Sequence, residues 1–403
     1  MAQYVRFSKP NPQWEEFVKS QPKLSQFRTG PKGHDVAARR AVFQTLAAEG
    51  PRHRRIPDDT EVVTYDFTIP AQDGYQIPVR SYFPCKAGTA QASAADAPIG
   101  ESNYPPLFIY YHGGGWVFGD LETGDENCRL LCARNTLTVL NVAYRLAPEH
   151  VFPTGINDAF DVFKWTVRHV TANVDINGDG SNRTQDGSHH LPAFLANPYK
   201  GFIIGGVSAG ANMAGAIAYL AREGGLSNPP ITGLMLSVPC CLHPDAIGLV
   251  PESWRDELLS LDQNRDADLL DVKTYVQLVR DILRAPAEDR RISFLLSPDH
   301  SNLPPRAYFQ IAGLDPIRDE AMLFARLLRE QSGTETLVHM YDGLPHGFWR
   351  FQGLPASKRW ADDLFSGVEF LLKGGKGGLE VKGHEDGSRV VVNGLDEYIA
   401  GVA

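Results

Sequence analysis

This 403-residue sequence has no apolar run long enough to cross a bilayer. Its first twenty residues, MAQYVRFSKPNPQWEEFVKS, interleave charge and proline where a secretion signal needs an unbroken apolar core. A cytoplasmic protein without a membrane span is expected. A basic excess is also missing. Against 48 Asp and Glu stand 39 Lys and Arg, a formal net charge of −9 that gives no positive field for phosphates and argues against a nucleic-acid partner. Cysteine is scarce: Cys85, Cys128, Cys132, Cys240 and Cys241 form an odd set without framework spacing, read as buried free thiols. Cys128 and Cys132 can share a helix face, but no His or Cys cluster completes a zinc site, so no metal is expected. With 43% hydrophobic residues, the chain can bury a large core.

What is present is an alternation. From Val62 onward, short β-branched or aromatic runs alternate with helix-period stretches, the pattern of an α/β fold with a mostly parallel sheet covered by helices. The runs lie at 62–69, 76–83, 107–111, 138–144, 202–206, 231–238, 307–312 and 337–341, giving eight strands. Asp73-Gly74 between the first two is a hairpin signal, so the sheet is expected to open antiparallel. Residues 318–330 typify the helices: Leu323, Phe324, Leu327 and Leu328 make an apolar stripe, while Arg326, Arg329 and Glu330 face water. Residues 58–240 and 301–373 form the core. Two helical regions are expected to cover it, residues 1–57 with Trp14, Phe17 and Phe27, and an insertion at 241–300 with a helix near 269–284. Residues 86–104 read as an exposed loop, residues 172–200 are polar and glycine-containing and break the alternation, and GGKGG at 374–378 reads as a hinge before a tail at 374–403.

The fifth strand runs directly into Gly206-Val207-Ser208-Ala209-Gly210 and then a helix beginning ANMAGAIAYLAR. A serine in that strand–turn–helix context is held in a strained backbone conformation, and glycine two residues to either side removes Cβ atoms that would clash. The helix aims its N-terminal N–H groups at the reacting centre. At the end of the third strand stands His112-Gly113-Gly114-Gly115-Trp116. Glycines let backbone N–H groups approach a ligand oxygen, so the amides of Gly114, Gly115 and Ala209 are candidates for an oxyanion hole. A phosphate-binding loop is the competing reading; it fails because no G-K-[ST] follows. Trp116 and Phe118 beside the loop are candidates for an apolar substrate pocket.

A serine hydroxyl needs a base, and the base needs an orienting acid. Asp315, in the segment Gly313 to Glu320, follows the seventh strand, and His346, between Pro345 and Gly347, follows the eighth. The order Ser, Asp, His then places all three at strand ends. Asp319 is the rival acid, but it lies one turn into a helix, where a carboxylate stabilises the N-terminus. His150, His189 and His190 are loop residues by their surroundings.

Taken in order, H-G-G-G-W, Y-R-L-A-P-E-H (Tyr144 to His150), G-x-S-A-G, D-P-I-R-D-E (Asp315 to Glu320) and H-G-F (His346 to Phe348) resemble the hormone-sensitive-lipase-type, arylacetamide deacetylase-like carboxylesterases of the α/β-hydrolase fold. The resemblance covers roughly residues 60–372. It implies an eight-stranded core with a helical cap, hydrolysis of a small-molecule carboxylic ester, no cofactor, and admits a homodimer. Val207 and Ala211 depart from the commonest family pattern, which has Asp and Gly there. Val207 removes a carboxylate that supports the oxyanion loop.

Alternatives remain open at this point. The same serine could pass its acyl group to an alcohol or amine, or cyclise or release a polyketide-like substrate. A non-catalytic small-molecule receptor on this fold would lose a triad member, and a dehydratase would replace the serine. Asp175, Asn177, Asp179, Gly180 and Asp186 fit part of a calcium-loop pattern, but position twelve is Asp and no helix pair flanks it, which favours a solvated turn. Asn182-Arg183-Thr184 is a glycosylation sequon.

Overall fold

The eight expected strands are all present. In the structure, a computed structural model that describes residues 4–20, 36–41, 55–85, 104–173, 195–351, 353–373 and 388–392, they are β1 (Val62–Pro70), β2 (Gln76–Pro84), β3 (Leu107–Tyr111), β4 (Thr138–Val142), β5 (Phe202–Val207), β6 (Gly233–Ser237), β7 (Arg306–Ala312) and β8 (Glu335–Tyr341). A ninth strand, β9 (Ser388–Val392), which the expectation of eight omits, comes from the tail and pairs antiparallel with β8. The order across the sheet is β1-β2-β4-β3-β5-β6-β7-β8-β9. The β1–β2 and β2–β4 pairings are antiparallel, and every pairing from β4 to β8 is parallel. Asp73-Gly74 turns the first hairpin as expected, with Gly74 at φ +87.

Side chains alternate across a strand, so a sheet buried on both faces reads as a continuous apolar run. In β3, Leu107, Ile109 and Tyr111 enter one core cluster, Phe108 and Tyr110 the other, and all five are at most 2% exposed. The first face is covered by α4 (Thr154–Asn173), α5 (Ala209–Glu223) and α7 (Arg318–Leu327), the second by α3 (Leu121–Asn135) and α8 (Pro355–Lys373). Asp120 starts α3 with a capping box, accepting from the Thr123 amide at 3.0 Å. The expected stripe along α7 and the first residue of the π turn that follows it is buried, with Leu323, Phe324, Leu327 and Leu328 at most 1% exposed.

Between β6 and β7 lie short helical pieces, including α6 (Val272–Val276), which widens into a π turn over Gln277–Leu283. The single helix expected near 269–284 is therefore in two parts. The N-terminal helix α1 (Pro12–Ser20) sets Trp14 against Phe17 and Phe351, and the Trp14 indole donates to Asp268 of the insertion at 2.8 Å. A further short helix, α2, occupies residues 36–41. Phe27, the partial calcium pattern at 175–186, the sequon, His189, His190 and the 374–378 hinge lie outside the described residues. No described helix is long and apolar enough to cross a membrane.

Candidate active site

The turn between β5 and α5 carries Ser208 at φ +55, ψ −117, a conformation rare for any L-residue that persists only where its surroundings enforce it. The Ser208 amide donates to the Ser237 carbonyl at 2.8 Å, and its own carbonyl accepts from the Asn212 amide at 3.0 Å. The flanking glycines are required by close approach: a Cβ on Gly206 would lie 2.2 Å from the Tyr111 carbonyl oxygen, and one on Gly210 would lie 2.0 Å from it. Asn212, buried one turn into α5, donates to the Cys240 and Ile292 carbonyls at 2.8 and 2.9 Å and so ties the turn to the insertion. Val207 packs its backbone close to the glycine loop: a Cβ built on Gly113 would lie 2.8 Å from the Val207 carbonyl oxygen.

Three chain segments converge on the serine hydroxyl. His346 Nε2 lies 3.0 Å from Ser208 Oγ, and His346 Nδ1 lies 2.6 Å from Asp315 Oδ2. Asp315 is 1% exposed, and its other oxygen accepts from the Ile317 amide at 3.1 Å. The loops that carry acid and base are joined by the Leu314 amide, which donates to the Leu344 carbonyl at 2.9 Å. Asn264 of the insertion donates to the Asp315 carbonyl at 2.8 Å. The rival acid is engaged elsewhere: Asp319 pairs with Arg318 Nε at 2.7 Å and accepts from the Leu259 amide at 2.9 Å.

The glycine loop follows β3 beside this turn. His112 is fully buried and stacks on Tyr144 at 4.3 Å; burial pushes its imidazole down to about 4, so Nδ1–H donates to the Gly113 carbonyl at 2.9 Å in the neutral form. The Tyr144 hydroxyl holds the His112 carbonyl at 2.8 Å. The Y-R-L-A-P-E-H segment therefore supports the glycine loop. Ala209 opens α5, and helix geometry leaves its amide without an intrahelical partner. The side chain closest to a Cβ built on Gly115 is Leu278 of the π turn, at 2.9 Å. Trp116 is 6% exposed within the main core cluster. Phe118 lines a pocket of about 400 Å³ with Arg40, Tyr75 and Tyr144, and neither Ser208 nor His346 is among its lining residues.

Sequence reasoning missed the supporting residues. Arg318 and Glu320 stand inside the quoted D-P-I-R-D-E run, where their burial could have been suspected. Asn212, Asn264 and Leu278 stand in no motif. All five cysteines are free, as expected, and four are buried; Cys85, just after β2, is only partly buried. No group of three or more His, Cys, Asp or Glu residues placed to hold a metal occurs among the described residues.

A strained, serine-bearing turn on a parallel strand, a glycine loop on the neighbouring strand, and an imidazole and carboxylate at two further strand ends form the arrangement of an α/β-hydrolase. Residues 108–350 match the family described by the alpha/beta hydrolase fold, and the chain belongs to it, as a member of the hormone-sensitive-lipase-type carboxylesterase group. It is similar to an AB hydrolase superfamily protein of Schizosaccharomyces pombe, 28% identical over 91% of this chain and 95% of that one. It is also similar to the carboxylic ester hydrolase LipN of Mycobacterium tuberculosis, 32% identical over 84% and 77% of the two chains. Among solved structures, vibralactone cyclase superposes with a TM-score of 0.72 at 28% identity, covering 91% of this chain and 96% of that one.

Proposed function

We propose that this protein hydrolyses carboxylic esters of small molecules through an acyl-enzyme on Ser208. His346 Nε2 takes the hydroxyl proton as Oγ attacks the ester carbonyl, and Asp315 fixes the imidazole tautomer and stabilises the imidazolium. The amides of Gly114, Gly115 and Ala209 hold the oxyanion. The imidazolium returns its proton to the departing alcohol, and a water molecule, deprotonated by the same nitrogen, releases the acid. No cofactor enters these steps. The single observation that carries the reading is the relay of 3.0 Å from Oγ to Nε2 and 2.6 Å from Nδ1 to the carboxylate. The names of the curated relatives support the substrate class.

In this reading residues 241–300, together with the described residues among 1–57, serve as the cap, supported by the approach of Leu278 to Gly115 and of Arg40 to the Val117 carbonyl. Trp116 and Phe118 contribute through the packing of the glycine loop, and Leu278 faces the substrate. Steady-state hydrolysis of a p-nitrophenyl ester tests the assignment. Ser208→Ala lowers kcat by about 10⁴-fold or more; full activity in that variant refutes it.

The similarity to vibralactone cyclase favours one second reading, in which an internal hydroxyl of the substrate, rather than water, resolves the acyl-enzyme. Product analysis with and without an added alcohol acceptor separates the two.

A further inference from the structure

The short helix α2 carries an arginine that no motif marks. Arg40 donates from Nε to the Val117 carbonyl at 2.9 Å and from Nη2 to the Ala147 carbonyl at 2.9 Å. Its Nη1 and Nη2 also meet the two carboxylate oxygens of Glu149 at 2.8 Å each. Next to it, Arg39 donates to the Gln277 side chain at 2.7 Å. One turn of helix from the N-terminal region therefore touches both the glycine loop and the insertion.

The position of the held carbonyls matters. The Gly114 carbonyl accepts from the Val117 and Phe118 amides at 3.1 and 2.9 Å, which closes the loop into a tight turn. In a planar trans peptide, the Gly115 N–H points opposite to the Gly114 carbonyl. The turn therefore fixes the direction of an amide assigned to the oxyanion. Inside it Trp116 sits at φ +60, a left-handed conformation that a bulky side chain adopts only under external constraint. Two constraints are visible. The Trp116 carbonyl accepts from the Ala147 amide at 2.9 Å, and Arg40 grips the carbonyls of Val117 and Ala147 on either side of that bond.

We propose that Arg40 is a positioning residue for the oxyanion hole: by gripping Val117, Ala147 and Glu149 together, it holds the strained 114–118 turn with its amides set for the tetrahedral intermediate. The proposal rests on the reading of Ser208 as nucleophile and of the glycine amides as oxyanion donors. Its effect belongs to the transition state, because a ground-state ester makes weaker demands on those amides. The planar fork is essential. A lysine ammonium can reach one of the acceptors but cannot span two carbonyls and a bidentate carboxylate.

The test compares the full-length wild type with Arg40→Ala and Arg40→Lys in three measurements: hydrolysis of p-nitrophenyl acetate, inactivation by an alkyl p-nitrophenyl phosphonate whose adduct is tetrahedral, and thermal melting. In R40A, kcat is expected to fall on the order of 10- to 100-fold while KM changes by less than about threefold. Phosphonylation slows by a similar factor, and R40K is restored only in small part. Millimolar guanidinium raises kcat in R40A and leaves the wild type unchanged. If R40A does not fold, Glu149→Ala, at a residue half exposed to solvent, loosens the same grip and lowers kcat at constant KM. The proposal is overturned if kcat in R40A, or in E149A where that variant is needed, stays within about twofold of wild type, a change too small for a displaced oxyanion donor. It is equally overturned if lost activity in R40A tracks the melting temperature and guanidinium restores none. Equal hydrolysis by wild type and S208A would refute the nucleophile itself, a failure that is distinguishable because Arg40 is intact in both.

Discussion

Glu320 lies five residues beyond Asp315 on buried α7, where burial, and then the nearby Asp315 charge, push its carboxyl well above the usual range. Both causes disfavour a second negative charge beside Asp315. The sign of its linkage follows. A carboxyl whose folded pKa is raised holds its proton more tightly in the folded chain, so it contributes stability below its unfolded value that is lost as pH rises towards the folded value. Glu320→Gln removes that dependence. The melting-temperature difference between E320Q and wild type should therefore grow in favour of the variant from pH 5 to pH 8, with ester hydrolysis retained. A difference that stays constant or reverses contradicts a raised Glu320 carboxyl. At this scale the sequence was most legible for Ser208, His346 and Asp315, because each needs a turn or strand end that leaves a glycine or proline within two residues of it. Arg40 left no such trace: two of its partners are backbone carbonyls, which any residue supplies.

Among elements, the segment after β7 does more than present Asp315. Arg318, with its side chain wholly buried, donates to Asp319 at 2.7 Å, to Ser8 at 2.7 Å, to the Gly313 carbonyl at 3.0 Å and to Gln263 at 2.6 Å. One guanidinium thus joins the N-terminal segment, the insertion and the loop that carries the acid. Removing it leaves the Asp319 carboxylate buried with no cation, a loss of about 3 to 5 kcal/mol for a broken buried pair. Arg318→Met should lower the free energy of urea-induced unfolding by that amount; a change below about 1 kcal/mol, the range of exposed ion pairs, contradicts the role. The helix pattern found α7 and its apolar stripe, but it read Arg318 only as part of a motif. It also gave one helix where α6 gives way to a π turn, because hydrophobic period is the same to within a residue for both backbones.

The whole molecule explains why widely spaced motifs work together. Parallel strands place all their carboxyl ends on one rim, so β3, β5, β7 and β8, separated by long helical connections, deliver the glycine loop, serine, carboxylate and imidazole to one place. That arrangement was readable because those strands are buried on both faces over nearly their whole length and so read as largely apolar runs. Strand β9 was not readable, since its short run of valines follows a stretch rich in glycine and charge. The residues that brace the rim, Arg40 from α2 and Asn264 from the insertion, come from outside the alternating core and were equally hidden.

The central claim is that Ser208 is the nucleophile and that His346 activates it. Intact-protein mass spectrometry after a fluorophosphonate treatment near neutral pH, followed by peptide mapping, measures this directly. The account predicts one adduct per chain, on Ser208, absent from Ser208→Ala and formed far more slowly in His346→Ala. An adduct on another residue, or equal labelling of wild type and His346→Ala, would contradict it.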